Sequence, residues 1–178
     1  MKFRYLILAI LGIIVAFAFS LMIYLGVFKP VVFSEGRQGP FKLIYKEHTG
    51  SYHKIVSKLQ EVESWAKQNN IDCSKSFGMY LDDPEKTEES RLRSYGGCLV
   101  TEIPSTLPED IKSKELPERL YLMAQFEGSP AIGPFKVYPK IQKQLKDNNQ
   151  TLIDGVLEVY VIHSEKEMTT TYYFPISN

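Results

Sequence analysis

A run of 24 residues with no acidic, basic or histidine side chain lies near the start of the chain, from Tyr5 to Phe28. As a helix with a rise of about 1.5 Å per residue, it would span about 36 Å, more than the roughly 30 Å hydrocarbon core of a bilayer. The sequence therefore predicts a single transmembrane helix over residues 5–28. A short basic N-terminus, residues 1–4, precedes it.

A cleavable signal peptide is the alternative interpretation of this run. Lys2 and Arg4 form a basic start, and Ala16-Phe17-Ala18 resembles a cleavage site. The apolar run continues for ten residues beyond Ala18, which favours an anchor. Basic residues lie on both sides of the run, so the positive-inside rule leaves the side of the soluble part open.

The rest of the chain has the size and composition of one soluble domain. It comprises about 150 of the 178 residues, enough to bury about two-thirds of its unfolded surface. The whole chain has 21 Lys and Arg and 21 Asp and Glu, and leaving out Lys2 and Arg4 gives the remainder a net charge of −2. This balance argues against a nucleic-acid partner.

Strand and helix signals alternate after a predicted linker with two Pro and two Gly, residues 29–40. FKLIYKEH, from Phe41, has the alternation typical of a strand, and residues 55–66 then repeat apolar side chains at helical spacing. Two short strand signals follow, at residues 77–81 and 90–100. The first half thus has the order strand, helix, strand, strand.

The second half repeats this order. RLYLMAQFEG predicts a strand, residues 135–147 a helix, and GVLEVYVIH and TTTYYFPI two further strands. We therefore predict an α+β domain over residues 41–178, in which duplicated strand-helix-strand-strand units form one antiparallel sheet. Both helices would cover one face and leave the other free for a ligand. Chance similarity between two α+β halves is the alternative.

Short motifs distributed along this domain resemble the GyrI-like small-molecule-binding domain, the effector-binding module of AraC- and MerR-type regulators. The motifs are Tyr45-x-x-His48-Thr-Gly50-x-Tyr52, Met79-Tyr80-Leu-Asp82-Asp83-Pro84, Arg93-x-x-Gly96-Gly97-x-Leu99, Gly155-Val-Leu-Glu158-Val-Tyr160 and Tyr172-Tyr173-Phe174-Pro175-Ile176. The resemblance covers roughly residues 41–176. It implies a domain that binds a small lipophilic or cationic molecule in a cleft between two half-repeats.

The first three motifs look most like the membrane-anchored branch of this family, which includes a testis-expressed endoplasmic-reticulum protein acting as an ER-phagy receptor. Two features differ from the family's regulators and receptors. No helix-turn-helix precedes the domain, and no disordered tail follows it. The resemblance therefore implies neither the regulator nor the receptor role as a whole.

Glu158 interrupts the otherwise apolar strand VLEVYVI. Alternation places Leu157, Val159 and Val161 on one face, which we expect to meet the helices, and Glu158 with Tyr160 on the other. A buried carboxylate needs a cation or hydrogen-bond donors, or its pKa rises. In the family that the chain resembles, a matching glutamate pairs with cationic, lipophilic ligands. The alternatives are a pair with a base such as Arg93, or a solvated edge position.

The predicted ligand-binding residues are Glu158, Tyr160, Tyr80, Tyr45 and His48. Tyrosine rings around a carboxylate can hold a flat or cationic ligand by stacking and cation–π contact. Ordinary packing is the alternative for each tyrosine, since strands favour this residue. We predict no catalytic residue, no metal site and no cofactor, because no His, Cys or Ser stands in a spacing typical of such sites.

The two cysteines, Cys73 and Cys98, can form one bridge if the strands around the loop Asp82–Glu89 pair with Leu81 opposite Ser90. That register would place the two cysteines opposite each other. Two free thiols in a reducing compartment are the alternative.

Three functions follow from these patterns. The leading hypothesis is a single-pass membrane protein whose domain binds a small lipophilic or cationic molecule. The second is a membrane-tethered adaptor that recruits a protein partner through the acidic loop Asp82–Glu89. The third is a small-molecule hydrolase with Glu158 as general base, for which the sequence offers no nucleophile or oxyanion hole.

Overall fold

A computed structural model describes residues 2–164 and 167–177 of the chain. It contains three α-helices and eight strands among these residues. The helices are α1 (Lys2–Tyr24), α2 (Ile55–Gln68) and α3 (Gly133–Asp147). The strands are β1 (Val31–Gln38), β2 (Phe41–Thr49), β3 (Ser76–Tyr80), β4 (Arg93–Val100), β5 (Lys112–Leu116), β6 (Arg119–Glu127), β7 (Val156–Ser164) and β8 (Glu167–Pro175).

All eight strands form one antiparallel sheet in the order β1-β6-β8-β7-β3-β4-β2-β5. This order is symmetric: exchanging β1 with β5, β2 with β6, β3 with β7 and β4 with β8 reproduces it in reverse. The centre of the sheet is the β3–β7 pair, in which Gly78 lies opposite Glu158. The α+β class and the antiparallel sheet are confirmed.

The predicted linker over residues 29–40 contains a strand of the sheet. β1 occupies residues 31–38 and pairs with β6 along its full length. β5, which the sequence analysis did not identify, pairs with β2 at the opposite edge. Each half of the domain therefore gives its first strand to the edge of the other half, so the linker prediction was wrong in this segment.

Both helices of the domain pack on the same face of the sheet, which we call the helix face. Val62 and Ala66 of α2 pack against Ile44 and Cys98 of the sheet. Val137, Ile141 and Leu145 of α3 pack against a second cluster that includes Leu122, Ala124, Tyr172 and Phe174. The strand registers place these sheet residues on one side.

The opposite face is buried as well. A third cluster, which includes Leu43, Phe77 and Leu157, lies on this side. The ring of Phe41 on β2 lies 5.2 Å from that of Tyr173 on β8, centroid to centroid, although four strand-to-strand steps separate these strands in the sheet. The sheet is therefore strongly curled around this cluster, and the described side chains of the sheet itself fill the side that was predicted to be free for a ligand.

Helix α1 differs from the predicted span mainly at its end. The helix stops at Tyr24, and residues 25–28 form turns, so the predicted boundary at Phe28 is too late. Residues 3–24 have a mean hydropathy of 3.0 and none of this window is buried. By length and composition this helix could cross a membrane or serve as a signal sequence.

Cys73 and Cys98 are joined by a disulfide. The register of β3 on β4 differs from the predicted one. Tyr80 lies opposite Ser94, whereas the prediction placed Leu81 opposite Ser90. Cys98 is opposite Ser76, and Cys73 reaches it from the segment before β3. The bond therefore connects the approach to β3 with the core of β4 beneath α2.

Candidate functional site

Glu158 lies in the middle of the sheet and is only 5% exposed. Its strand β7 is paired on both sides, with Gly78 of β3 and Tyr172 of β8 directly opposite this residue. The registers place Glu158 on the helix face. The predicted placement of the helices over the face of Leu157 was wrong, although the prediction of a buried carboxylate was right.

Two tyrosine hydroxyls donate hydrogen bonds to this carboxylate. Tyr138, from helix α3, donates to Oε1 at 2.7 Å. Tyr160, two residues along the same strand, donates to Oε2 at 3.2 Å. The Tyr160 hydroxyl lies 3.0 Å from that of Tyr80 on β3, so the cluster continues to the next strand. We call Glu158, Tyr138, Tyr160 and Tyr80 the carboxylate cluster.

No basic side chain pairs with Glu158 among residues 3–164 and 168–177, whose side chains the structure describes. Arg93, the base proposed as an alternative partner, instead forms an ion pair with Asp82, with 2.7 Å between Nη2 and Oδ1. The carboxylate of Glu158 is thus held by neutral donors only.

The electrostatics of the cluster follow from this lack of a counter-charge. Burial raises the pKa of the Glu158 carboxyl to about 7, although the hydrogen bonds from Tyr138 and Tyr160 act to lower it. Burial and the neighbouring carboxylate also raise the pKa of both tyrosines well above the usual value, so they remain neutral donors. Glu158 can therefore gain or lose its proton near neutral pH.

Gly78 makes room for this arrangement. A Cβ at this position would lie 2.9 Å from the Tyr80 hydroxyl and 3.1 Å from the Tyr160 hydroxyl. Any larger residue would push the two hydroxyls away from the sheet surface. The glycine opposite Glu158 thus provides the space in which the hydroxyls meet.

Other aromatic and hydroxyl groups surround the cluster on the helix face. The Tyr52 ring contacts that of Tyr80 at 4.8 Å, and the Tyr138 ring contacts that of Phe174 at 5.3 Å, centroid to centroid in both cases. The buried hydroxyl of Ser94 has no hydrogen-bond partner in the described part of the chain, and the buried hydroxyls of Thr170 and Tyr172 lie on the same face. The surroundings of Glu158 are therefore rich in rings and buried hydroxyls.

Two of the predicted site residues lie apart from the cluster. Tyr45 is on the other face of the sheet, where its ring stacks on Tyr95 at 4.4 Å. His48 is near the end of β2, and its Nε2 lies 3.0 Å from the carbonyl oxygen of Ser51. The structure brings Glu158, Tyr160 and Tyr80 together, and it leaves Tyr45 and His48 outside.

The role of Tyr138 was not predicted from the sequence. This residue lies in the predicted helix over residues 135–147, and its ring packs against the core. A tyrosine in an apolar stripe carries a hydroxyl that needs a partner when buried, and this was the available signal. Its partner is the carboxylate of Glu158.

Comparison with known proteins assigns the chain to a family. Residues 37–177 match the GyrI-like small molecule binding domain. The chain belongs to this family. A DNA gyrase inhibitor of Pectobacterium carotovorum is 40% identical over 72 residues, which are 39% of this chain and 47% of that protein. The match thus spans about half the length of this curated relative.

Solved structures share the fold of this GyrI-like chain. The structure of EcmrR in a complex with DNA matches with a TM-score of 0.66 and 11% identity over 99% of this chain and 69% of that one. The structure of SAV2435 bound to tetraphenylphosphonium matches with a TM-score of 0.56 and 12% identity, over 83% of this chain and 94% of that one. At these identities the likeness establishes the fold alone.

Proposed function

We propose that this GyrI-like domain binds a lipophilic cation beside Glu158, between α2 and α3, and that α1 anchors it to a membrane. The observation that carries the binding proposal is a buried carboxylate held by tyrosine hydroxyls without any basic partner. An unpaired buried charge is unfavourable, and a cationic ligand supplies the missing counter-charge. SAV2435, which shares the fold, was solved with tetraphenylphosphonium, a cation of this class.

The tyrosines suit a cation that has no hydrogen-bond donors. A phosphonium neutralises the carboxylate by charge alone, so Tyr160, on the same strand, can keep its hydrogen bond to Glu158. The aromatic rings around the cluster add cation–π and stacking contacts of about 0.5 to 2 kcal/mol each. Because Glu158 is nearly inaccessible, binding requires α3 or Tyr138 to move away from the sheet. The bound ligand therefore replaces part of the contact between α3 and the sheet.

Membrane anchoring rests on α1. The helix is uncharged from Tyr5 onward, long enough to cross a bilayer and not covered by the domain. A surface of apolar side chains this large is unfavourable in water, which favours a lipid environment over an exposed helix. None of the relatives described above is an ER-phagy receptor, so our proposal keeps the anchor and the binding site and leaves that role out.

Calorimetric titration of tetraphenylphosphonium into the detergent-solubilised chain tests the binding proposal. We expect saturable binding of one ligand per chain at pH 8, where Glu158 is ionised. The heat should exceed that of titration into matched detergent micelles, which take up the same cation without specificity. Heats equal to the micelle control would contradict the proposal.

A further inference from the structure

The end of α1 is fixed to the domain without a flexible linker. Only residues 25–30 separate α1 from β1, and the domain binds this segment directly. The backbone N–H of Ser129 donates to the Leu25 carbonyl at 3.1 Å. The ammonium of Lys136 donates to the carbonyl of Val27 at 2.6 Å and also to that of Lys29.

Gly26 allows this close attachment. Its φ of 76° is in the left-handed region that favours glycine, and a Cβ there would lie 3.2 Å from Gly128 Cα. The chain therefore turns tightly from α1 onto the loop between β6 and α3. Whatever surrounds the last turn of α1 must lie within a few ångströms of that loop.

Large apolar side chains are exposed around this junction. Phe28 is 61% exposed, with its ring 5.8 Å from that of Phe19 on α1. Phe135, in the first turn of α3 and next to Lys136, is 80% exposed. Ile162, near the end of β7, is 66% exposed. In water, such a group of apolar residues at one end of a domain is unfavourable.

A cavity of about 510 Å³ lies at the same place. It is lined by the last residues of α1, by the β6–α3 loop and by the β7–β8 hairpin, and Tyr24, Lys29, Ile162, His163 and Met168 are among its lining residues. Apolar and polar groups thus meet here at the level where α1 ends. This mixture is typical of the boundary between hydrocarbon and headgroups, where aromatic and basic side chains are enriched.

We propose that this end of the domain rests on the bilayer surface, with Phe28, Phe135 and Ile162 inserted at the headgroup level and lipid filling the cavity. We call these three residues the bilayer seat. The proposal rests on the membrane anchoring proposed above, because it is the crossing of α1 that brings the seat to the lipid. Lys29, which lines the cavity together with the acidic Glu127, provides a cation for lipid phosphate groups. The domain is then held in one orientation.

Depth-dependent fluorescence quenching of the full chain in vesicles tests this proposal. Trp65, the only tryptophan, is replaced by Phe, and a single tryptophan is introduced as Phe135→Trp or as Ile162→Trp. The matched control is Ile153→Trp, because Ile153 is also exposed, at 54%, but lies away from the seat. Its backbone N–H donates to the carbonyl oxygen of Pro175, at the end of β8 opposite to the seat. The vesicles contain phosphatidylcholine and phosphatidylglycerol, with or without bromine at acyl carbons 6 and 7.

We expect brominated lipid to remove about half of the fluorescence at positions 135 and 162, because interfacial side chains reach about 5–10 Å into the bilayer. The control at position 153 should change little. Strong quenching at all three positions, or at none, in a chain that co-floats with the vesicles after carbonate treatment would overturn the seat but leave the anchor intact. A chain that does not co-float would overturn the anchor and the seat together.

Discussion

Replacing Glu158 by Gln is expected to weaken tetraphenylphosphonium binding by about 30-fold or more. Gln has nearly the same shape and can accept the Tyr138 hydrogen bond, so the variant removes the negative charge and little else. Loss of one partner of a buried charge pair costs about 2–5 kcal/mol, and about 1.4 kcal/mol corresponds to a factor of ten. Calorimetry at pH 8 on both chains measures the difference directly.

Two controls separate a loss of charge from a loss of folding. Glu35→Gln makes the same chemical change at an exposed position of edge strand β1 and should leave the affinity unchanged. A neutral ligand of similar shape, triphenylphosphine oxide, should bind wild type and Glu158→Gln with affinities that differ less than about threefold, since it lacks the charge that Glu158 recognises. An equal loss for both ligands would instead indicate damage to the proposed binding site between α2 and α3.

The unliganded domain should lose stability between pH 5 and pH 8 because of Glu158. The pKa of this carboxyl is raised from 4.5 to about 7 in the folded chain, so the folded state binds the proton more tightly than the unfolded state. The resulting stabilisation is fully present below about pH 4.5 and is lost as the pH rises through 7. Over pH 5 to 8 the expected loss is about 2 to 3 kcal/mol.

Urea unfolding of wild type and Glu158→Gln across this pH range isolates the contribution, with Trp65 fluorescence as the signal. The difference in unfolding free energy between the two chains should decrease steadily from pH 5 to pH 8. Paired surface carboxyls such as Asp82, whose pKa Arg93 lowers, contribute with the opposite sign. These carboxyls titrate at lower pH, and their contribution to the unfolding free energy is the same in both chains. Parallel curves would contradict a raised pKa at Glu158.

Much of the fold was predictable because both periodicities are strong in this chain. The alternation of residues 41–48 and the helical spacing over residues 55–66 correspond to β2 and α2. β1 was not predicted because VVFSEGRQ lies between two prolines and contains a glycine. Its strand pairing comes from a distant partner, β6, which local patterns do not reveal.

Alternation identifies which residues share a face but not what covers that face. It placed Glu158 and Tyr160 together, and they do lie together. The assumption that one face stays open then assigned the helices to the Leu157 side. Because the sheet curls around the cluster that contains Leu157, that side is closed by the sheet itself, and the helices lie over Glu158.

The site residues beyond β7 could be predicted only in part. Tyr80 faces Val156, so its hydroxyl reaches Tyr160 across neighbouring strands, as a central β3–β7 pair allows. Tyr45 was assigned to the site because of its motif. Strand alternation places it on the same face as Leu43 and Phe41, which is the face away from Glu158. His48 lies near the end of β2, outside the carboxylate cluster. The contribution of Tyr138 depends on how α3 crosses the sheet, which no sequence pattern gives.

The central claim is that a cation binds the ionised form of a buried Glu158, and counting the protons released on binding tests it most directly. Calorimetric titration of tetraphenylphosphonium in two buffers of different ionisation enthalpy gives this number. A carboxyl with a pKa of about 7 should release about 0.9 proton per ligand at pH 6 and about 0.1 at pH 8. Saturable binding with no proton release at pH 6 would contradict the claim.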